Sequence, residues 1–177
     1  MTSERFADRP RPPVLVITGP TASGKSGFAL AVARAYDGTV INADSMQVYR
    51  DLRVLSDRPT AETEAAVPHR LYGVLPARDP CTAQRWRGWA IAEVAAAHGQ
   101  GRLPILVGGT GLYLRAFLQG LAPVPDVPEA IRRGVRRLQH EAGPEGLNRA
   151  LTREDPAMAA RLNPDDGQRQ ARALEVV

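Results

Sequence analysis

An α/β fold, a parallel sheet with helices on both faces, is what this sequence of 177 residues predicts, on three observations. Short runs dominated by aliphatic residues, at Val14–Thr18, Thr39–Asn42 and Leu103–Val107, lack the strict alternation of a half-solvated strand and suit strands covered on both sides. Segments with helical apolar spacing lie between the runs. Glycine-rich turns mark the strand-to-helix junctions.

In chain order, residues 1–12 carry prolines and arginines without periodicity and are expected to be a flexible tail. The core domain then spans 13–122. Its first strand, Val14–Thr18, stops at Gly19-Pro20. From Lys25 to Tyr36 the apolar residues Phe28, Leu30, Ala31, Val32 and Ala35 recur at helical spacing, and Asp37-Gly38 supplies the stop before strand Thr39–Asn42. Thr82 can cap a helix that reaches about His98, where Gly99 and Gly101 break it ahead of strand Leu103–Val107. After Gly120 the character changes. Pro123, Pro125 and Pro128 form a stiff connector, and helices are predicted at Pro128–Ala142, Pro144–Arg153, about Pro156–Leu162 and from Asp166 onward. Residues 123–165 read as the start of a helical insertion and 166–177 as a helix returning toward the core. Apolar residues run to Val177 without a cap, so the chain is expected to be truncated at its C-terminus.

Composition narrows the function classes. Hydrophobic residues at 44% and charged residues at 24% exclude a disordered or collagen-like chain. No run approaches the roughly 20 apolar residues of a membrane span, and the polar start lacks the apolar stretch of a secretory signal, which predicts a cytoplasmic protein with no membrane partner. The single cysteine, Cys81, excludes an internal disulfide and is expected to be a buried, inert thiol. His69, His98 and His140 share no ligand spacing, and Trp86 with Trp89 reads as a core stripe. The net charge of +4 permits an anionic partner. Lys25 is the only lysine, and Arg132, Arg133, Arg136 and Arg137 fall on one broad side of a predicted helix.

The segment Gly19-Pro20-Thr21-Ala22-Ser23-Gly24-Lys25-Ser26 matches G-x-x-x-x-G-K-[ST] between a strand and a helix. Glycines there let successive backbone N–H groups face phosphate oxygens, and the helix dipole adds positive potential at the same point. Lys25 would neutralise phosphate charge and Ser26 would offer its hydroxyl to a magnesium ion held by the same phosphates. The sheet is therefore expected to be of the P-loop type. Strand Leu103–Val107 ends in Gly108-Gly109-Thr110-Gly111 instead of the acid that motor ATPases place there, and no N-K-x-D reads guanine, so motor ATPases and GTPases are excluded. Asp44 follows the second strand at the sheet edge where the phosphate loop opens. A carboxylate there can take a proton from an incoming nucleophile or stand behind magnesium. Thr110 is the side chain of the glycine turn able to hydrogen-bond.

Taken together, GPTASGKS, ADSMQVYR, DPCTAQRW, LVGGTGLYLRAFLQG and DDGQRQARALEV resemble the tRNA dimethylallyltransferases, nearly end to end. The resemblance implies transfer of a dimethylallyl group from dimethylallyl diphosphate to the exocyclic amine of the adenosine 3′-adjacent to the tRNA anticodon, with Mg²⁺ and release of diphosphate. It implies that the phosphate loop holds the diphosphate, that Asp44, Lys25, Ser26 and Thr110 serve catalysis, and that the enzyme acts as a monomer. By position it implies tRNA contacts at Asp44, Ser45, Met46, Gln47, Thr110 and Arg132, and at Gln168, Arg169, Gln170, Ala171 and Arg172 beyond them. The helical insertion would grip the anticodon stem-loop. The chain departs from the family pattern at Leu55–Pro59, where G-T-A-K-P is usual, and at Cys81-Thr82. Three other readings use the same loop: a small-molecule or nucleoside kinase acting with ATP, a related adenylate isopentenyltransferase acting on free nucleotide, and an inactive phosphate-binding fragment.

Overall fold

The computed structural model describes residues 12–122 and 126–177. The tail expected over residues 1–12, Pro12 apart, and the connector prolines Pro123 and Pro125 lie outside the described residues. Two compact units divide the chain, the first ending at Leu121 and the second starting at Ala122.

The first unit is a sheet with all strands parallel. Strands β1 (Leu15–Ile17), β2 (Gly38–Asn42), β3 (His69–Arg70) and β4 (Leu103–Val107) lie in the order β1-β4-β2-β3. β4 pairs with β1 through Leu15 to Ile105 and with β2 through Gly38 to Leu103, so the C-terminal ends of β1, β2 and β4 finish side by side. That edge is where α/β sheets carry their ligands. The apolar runs become strands for the predicted reason: every residue of β2 is buried, and so are Pro104 to Val107 of β4.

Helices cover both faces. α1 (Lys25–Ala35) lays Ala29 and Ala33 against Ile17, Val40 and Ile105. On the opposite face α3 (Ala83–Gly99) and α4 (Gly111–Gln119) pack Trp86, Ala90, Val94, Tyr113 and Leu114 against Ile41, Ala43 and Leu106. Small α1 residues let that helix approach the sheet closely, whereas the other face is filled by aromatic volume. Trp86 is fully buried and stacks on Tyr113 with ring centroids 4.5 Å apart. Its indole N–H donates to the Asn42 carbonyl at 2.8 Å, the partner a buried indole needs. Thr82 caps α3 as its sequence predicts, accepting from the Arg85 N–H at 3.1 Å.

Four short elements were not expected from the sequence: a 3-10 turn at Arg50–Leu52, α2 (Ala61–Ala66), β3 and α4. Thr60 caps α2 through the Thr63 N–H. Cys81 is half-buried, not buried as expected, because it sits in the loop before α3, where its N–H donates to the Tyr49 hydroxyl at 3.2 Å.

The second unit holds α5 (Glu129–Glu154), α6 (Pro156–Arg161) and α7 (Gly167–Leu174). α5 breaks at Gly143, whose φ of 60° and ψ of −164° leave the helical region, just ahead of Pro144. The break divides it where the sequence predicts two helices. Leu147 and Leu151, fully buried, anchor the unit's core.

Two substitutions separate these contributions. Trp86→Ala is expected to cost about 3–5 kcal/mol by deleting a buried ring. Gly88→Ala, on α3 with open space around its added Cβ, is expected to gain about 0.5–1 kcal/mol by relieving helical glycine. Urea midpoints at unchanged slope measure both.

Candidate active site at the C-terminal sheet edge

Between β1 and α1 the chain makes the phosphate loop. Ala22 (φ 63°) and Gly24 (φ 80°) both take left-handed backbone, which turns successive N–H groups toward one side. Gly24 is the N-cap of α1 and no side chain caps that helix, so its first N–H groups stay available to an anion. Lys25 folds its ammonium back to the Pro20 carbonyl at 2.5 Å, across the concavity of the loop. Ser26 stands exposed on the first turn of α1.

The ends of β2 and β4 meet the loop. Gly108 donates its N–H to Ile17 at 3.2 Å, Ala43 donates to Val107 at 2.7 Å, and Thr110 donates to Ala43 at 3.3 Å. A Cβ on Gly108 would stand 2.2 Å from the Ala43 carbonyl carbon, so only glycine allows this approach. A Cβ on Gly109 would come within 3.5 Å of the Gly19 carbonyl oxygen, which places the β4 turn directly against the phosphate loop.

Asp44 is held on that platform. Its backbone N–H donates to Asn42 Oδ1 at 2.8 Å and its carboxylate Oδ1 accepts the Met46 N–H at 2.8 Å. Thr110 Oγ1 accepts the Ser45 N–H at 2.9 Å and lies 3.3 Å from Ser45 Oγ. Asp44, Ser45, Met46 and Thr110 are thus one hydrogen-bonded cluster. Gln47 belongs to the same loop but turns its amide to the Ser56 and Asp57 carbonyls, at 2.8 and 3.2 Å.

Arg58, in the segment that departs from the family pattern, ties the far side of the loop. Its guanidinium reaches the Tyr49 and Arg50 carbonyls at 3.5 and 3.4 Å and faces Glu64 at 3.7 Å. Gly73 (φ 60°) lets it pass, since a Cβ there would overlap the guanidinium. A cavity of about 240 Å³ opens between α1 and this segment, lined by Ser26, Leu30, Val40, Arg58, His69 and Tyr72 among others. Burial, reinforced by the Asp44 and Glu64 charges, pushes the Tyr72 phenol above its ordinary range and keeps it protonated.

Within the second unit, Arg132 is half-buried on α5 with its Nε unpartnered among the described residues, while Arg133, Arg136 and Arg137 are exposed. Gln168, Ala171 and Arg172 of α7 share a groove of about 310 Å³ with Arg136 and Gln139 of α5. Arg169 pairs with Asp166 at 3.4 Å and Arg172 with Glu175 at 2.6 Å. Gln170 differs from its neighbours. It is fully buried, and its amide donates to the Asn163 and Pro164 carbonyls, which fixes the turn into α7.

Sequence reasoning passed over Asn42, Gly73 and Tyr72. Asn42 had a legible signal, a polar residue closing a buried run. Tyr72 had none, since its surroundings come from a two-residue strand.

A loop with the G-x-x-x-x-G-K-[ST] pattern at the edge of a parallel sheet, with a carboxylate after β2 and none after β4, marks an α/β protein of the P-loop type. The family model for IPP transferase matches residues 47–177, and the chain belongs to that family. It is 59% identical over 165 residues to the tRNA dimethylallyltransferase of Rhodospirillum rubrum, covering 93% of this chain and 51% of that protein. It is 58% identical over 162 residues to that of Granulibacter bethesdensis, covering 92% and 51%. The chain therefore spans about half the length of these curated relatives. Among solved structures, a eukaryotic dimethylallyltransferase acting on tRNA superimposes with a TM-score of 0.78 at 27% identity, covering 94% of this chain and 41% of that one. The full-length tRNA isopentenylpyrophosphate transferase of Bacillus halodurans gives a TM-score of 0.62 at 33% identity, covering 94% and 55%.

The Gly108 contact yields a direct test. Gly108→Ala is expected to lose about 1–3 kcal/mol of stability through overpacking. It should also weaken pyrophosphate binding, because relief requires the β4 turn to move from the phosphate loop. Melting curves with and without pyrophosphate measure both effects.

Proposed function

We propose that this chain forms the catalytic core of an enzyme that transfers a dimethylallyl group from dimethylallyl diphosphate to the exocyclic amine of the adenosine 3′-adjacent to the tRNA anticodon. The observation that carries the reading is the convergence of the phosphate loop and the Asp44–Thr110 cluster on one sheet edge, with Gly109 against Gly19. A diphosphate leaving group and an amine nucleophile need those two sites side by side.

In this reading the allylic carbon–oxygen bond breaks with its electron pair leaving on the diphosphate. The loop N–H groups, the α1 N-terminus and Lys25 stabilise that charge where it develops. Ser26, a hard oxygen donor, would hold a magnesium ion, and Asp44 would stand behind it. Bound there, magnesium would add charge stabilisation on the same leaving group. The amine nitrogen of the adenine forms the new bond to the allylic carbon, and Asp44 accepts the proton released. Thr110, fixed through Ser45, is positioned to contact the tRNA or the departing diphosphate. Gly19 to Ser26 would all line the donor site. The target base must leave its stack to reach Asp44.

Ser45, Met46 and Gln47, with Arg132, Gln168, Arg169, Ala171 and Arg172, would contact the anticodon stem-loop, and Gln170 would serve by holding the turn that carries them. Among the described residues no helix is long and apolar enough to cross a membrane. A monomeric enzyme of the cytoplasm completes the reading.

The test is transfer of labelled dimethylallyl to an anticodon stem-loop RNA, using residues 1–177 and a chimera that appends the second half of the Rhodospirillum rubrum relative. Transfer in either form supports the proposal; phosphoryl transfer from ATP with no prenyl transfer in both overturns it in favour of a kinase. Asp44→Ala is expected to lower kcat roughly 10²–10⁴-fold at unchanged pyrophosphate affinity. Lys25→Ala should weaken binding and turnover together. An Asp44→Ala variant with full activity would remove Asp44 as the base.

A further inference from the structure

Asn42 closes β2, two residues before Asp44, and is fully buried. Its side-chain oxygen accepts the Asp44 N–H at 2.8 Å, while its amide donates to the Asp44 carbonyl at 2.9 Å and to the Leu71 carbonyl at 3.1 Å. The orientation of the carboxamide is forced, because a donor faces its oxygen and two acceptors face its nitrogen. An apolar residue of equal size would leave one N–H and two carbonyls without these partners. Leu71 itself holds a left-handed φ of 63°, a conformation that branched side chains avoid. The Asn42 main-chain carbonyl is in turn fixed by the Trp86 indole. Two successive side-chain turns result, Asn42 to the Asp44 N–H and Asp44 to the Met46 N–H, and Thr110 pins Ser45 between them.

We infer that Asn42 is a positioning residue for the transfer reaction: by gripping both backbone groups of Asp44 it sets the direction from which the carboxylate meets the acceptor amine. Asn42 touches neither substrate nor reacting atoms. It acts through Asp44, and it couples that residue to the end of β3 through Leu71. Reactions that depend on a positioned base lose rate steeply when the base shifts, about 10²-fold for a displacement of 1 Å. The inference rests on the transfer reading, with Asp44 as the base.

Three variants test it. Asn42→Ala removes all three bonds. Asn42→Ser keeps a hydroxyl that can accept the Asp44 N–H but does not reach Leu71. Val94→Ala thins the core beneath α3 without removing any Asn42 hydrogen bond and controls for lost stability. In whichever form supports transfer, Asn42→Ala is expected to lower kcat about 10- to 100-fold with the KM for dimethylallyl diphosphate unchanged within about 2-fold. Asn42→Ser should recover most of that loss, and Val94→Ala should lower the melting temperature while keeping kcat. In residues 1–177, amide hydrogen exchange at Asp44 should accelerate at least about 10-fold in Asn42→Ala and much less in Asn42→Ser. Asn42→Ala turning over at the wild-type kcat, or leaving Asp44 exchange unchanged, overturns the inference. If no form transfers dimethylallyl, the function proposal fails on its own and the exchange measurement alone decides whether Asn42 holds Asp44.

Discussion

The close approach of the Gly108 and Ala43 backbones is the contact on which the rest of the site depends. With no Cβ at Gly108, the ends of β2 and β4 come together at the same height as β1, and Thr110 can bond both Ala43 and Ser45. The phosphate loop, Asp44 and the β4 turn are distant in sequence yet become neighbours through backbone geometry alone. Side chains then refine the arrangement. Asn42 fixes Asp44 from below, Thr110 fixes Ser45 from the side, and Arg58 anchors the loop beyond Gln47. A polar cluster of this kind is stable only when its groups find partners, and here the buried Asn42 carboxamide finds three.

The phosphate loop and β1, β2 and β4 were legible because each carries its own local signal: an eight-residue glycine motif, or an apolar run too uniform for a half-exposed strand. The break in α5 was legible as Gly143-Pro144, where left-handed backbone is followed by a residue without an N–H donor. What stayed hidden depends on tertiary contact. β3 is two residues long, so its strand character comes from pairing His69 and Arg70 with Val40 and Ile41. α4 follows a turn whose glycines mask its start, and only its buried Tyr113, Leu114 and Ala116 mark it as a helix. The site followed the same division. Lys25, Ser26 and Asp44 announced themselves by motif and strand end, whereas Asn42 and Tyr72 take their meaning from what folds over them.

Arginine is used in two ways. In the first unit, Arg58 and Arg87 are spent on backbone carbonyls, where they hold loops and helix ends together. In the second, Arg133, Arg136 and Arg137 are exposed along α5, and the ion pair of Arg136 with Glu129 spans 3.7 Å between half-exposed or more exposed side chains. Exposed pairs of that kind add little stability, typically about 0–1 kcal/mol. Such arginines are free to trade a carboxylate for a phosphate, which is what a polyanionic substrate of the proposed kind requires.

Magnesium pyrophosphate titrated into ¹⁵N-labelled residues 1–177, with amide shifts followed residue by residue, tests the convergence most directly. If the sheet edge is one site, Gly19 to Ser26, Asp44 to Met46 and Gly108 to Thr110 move together with a single binding constant. Shifts confined to the arginine-bearing helices of the second unit, or to the phosphate loop with Asp44 and Thr110 unmoved, would contradict it.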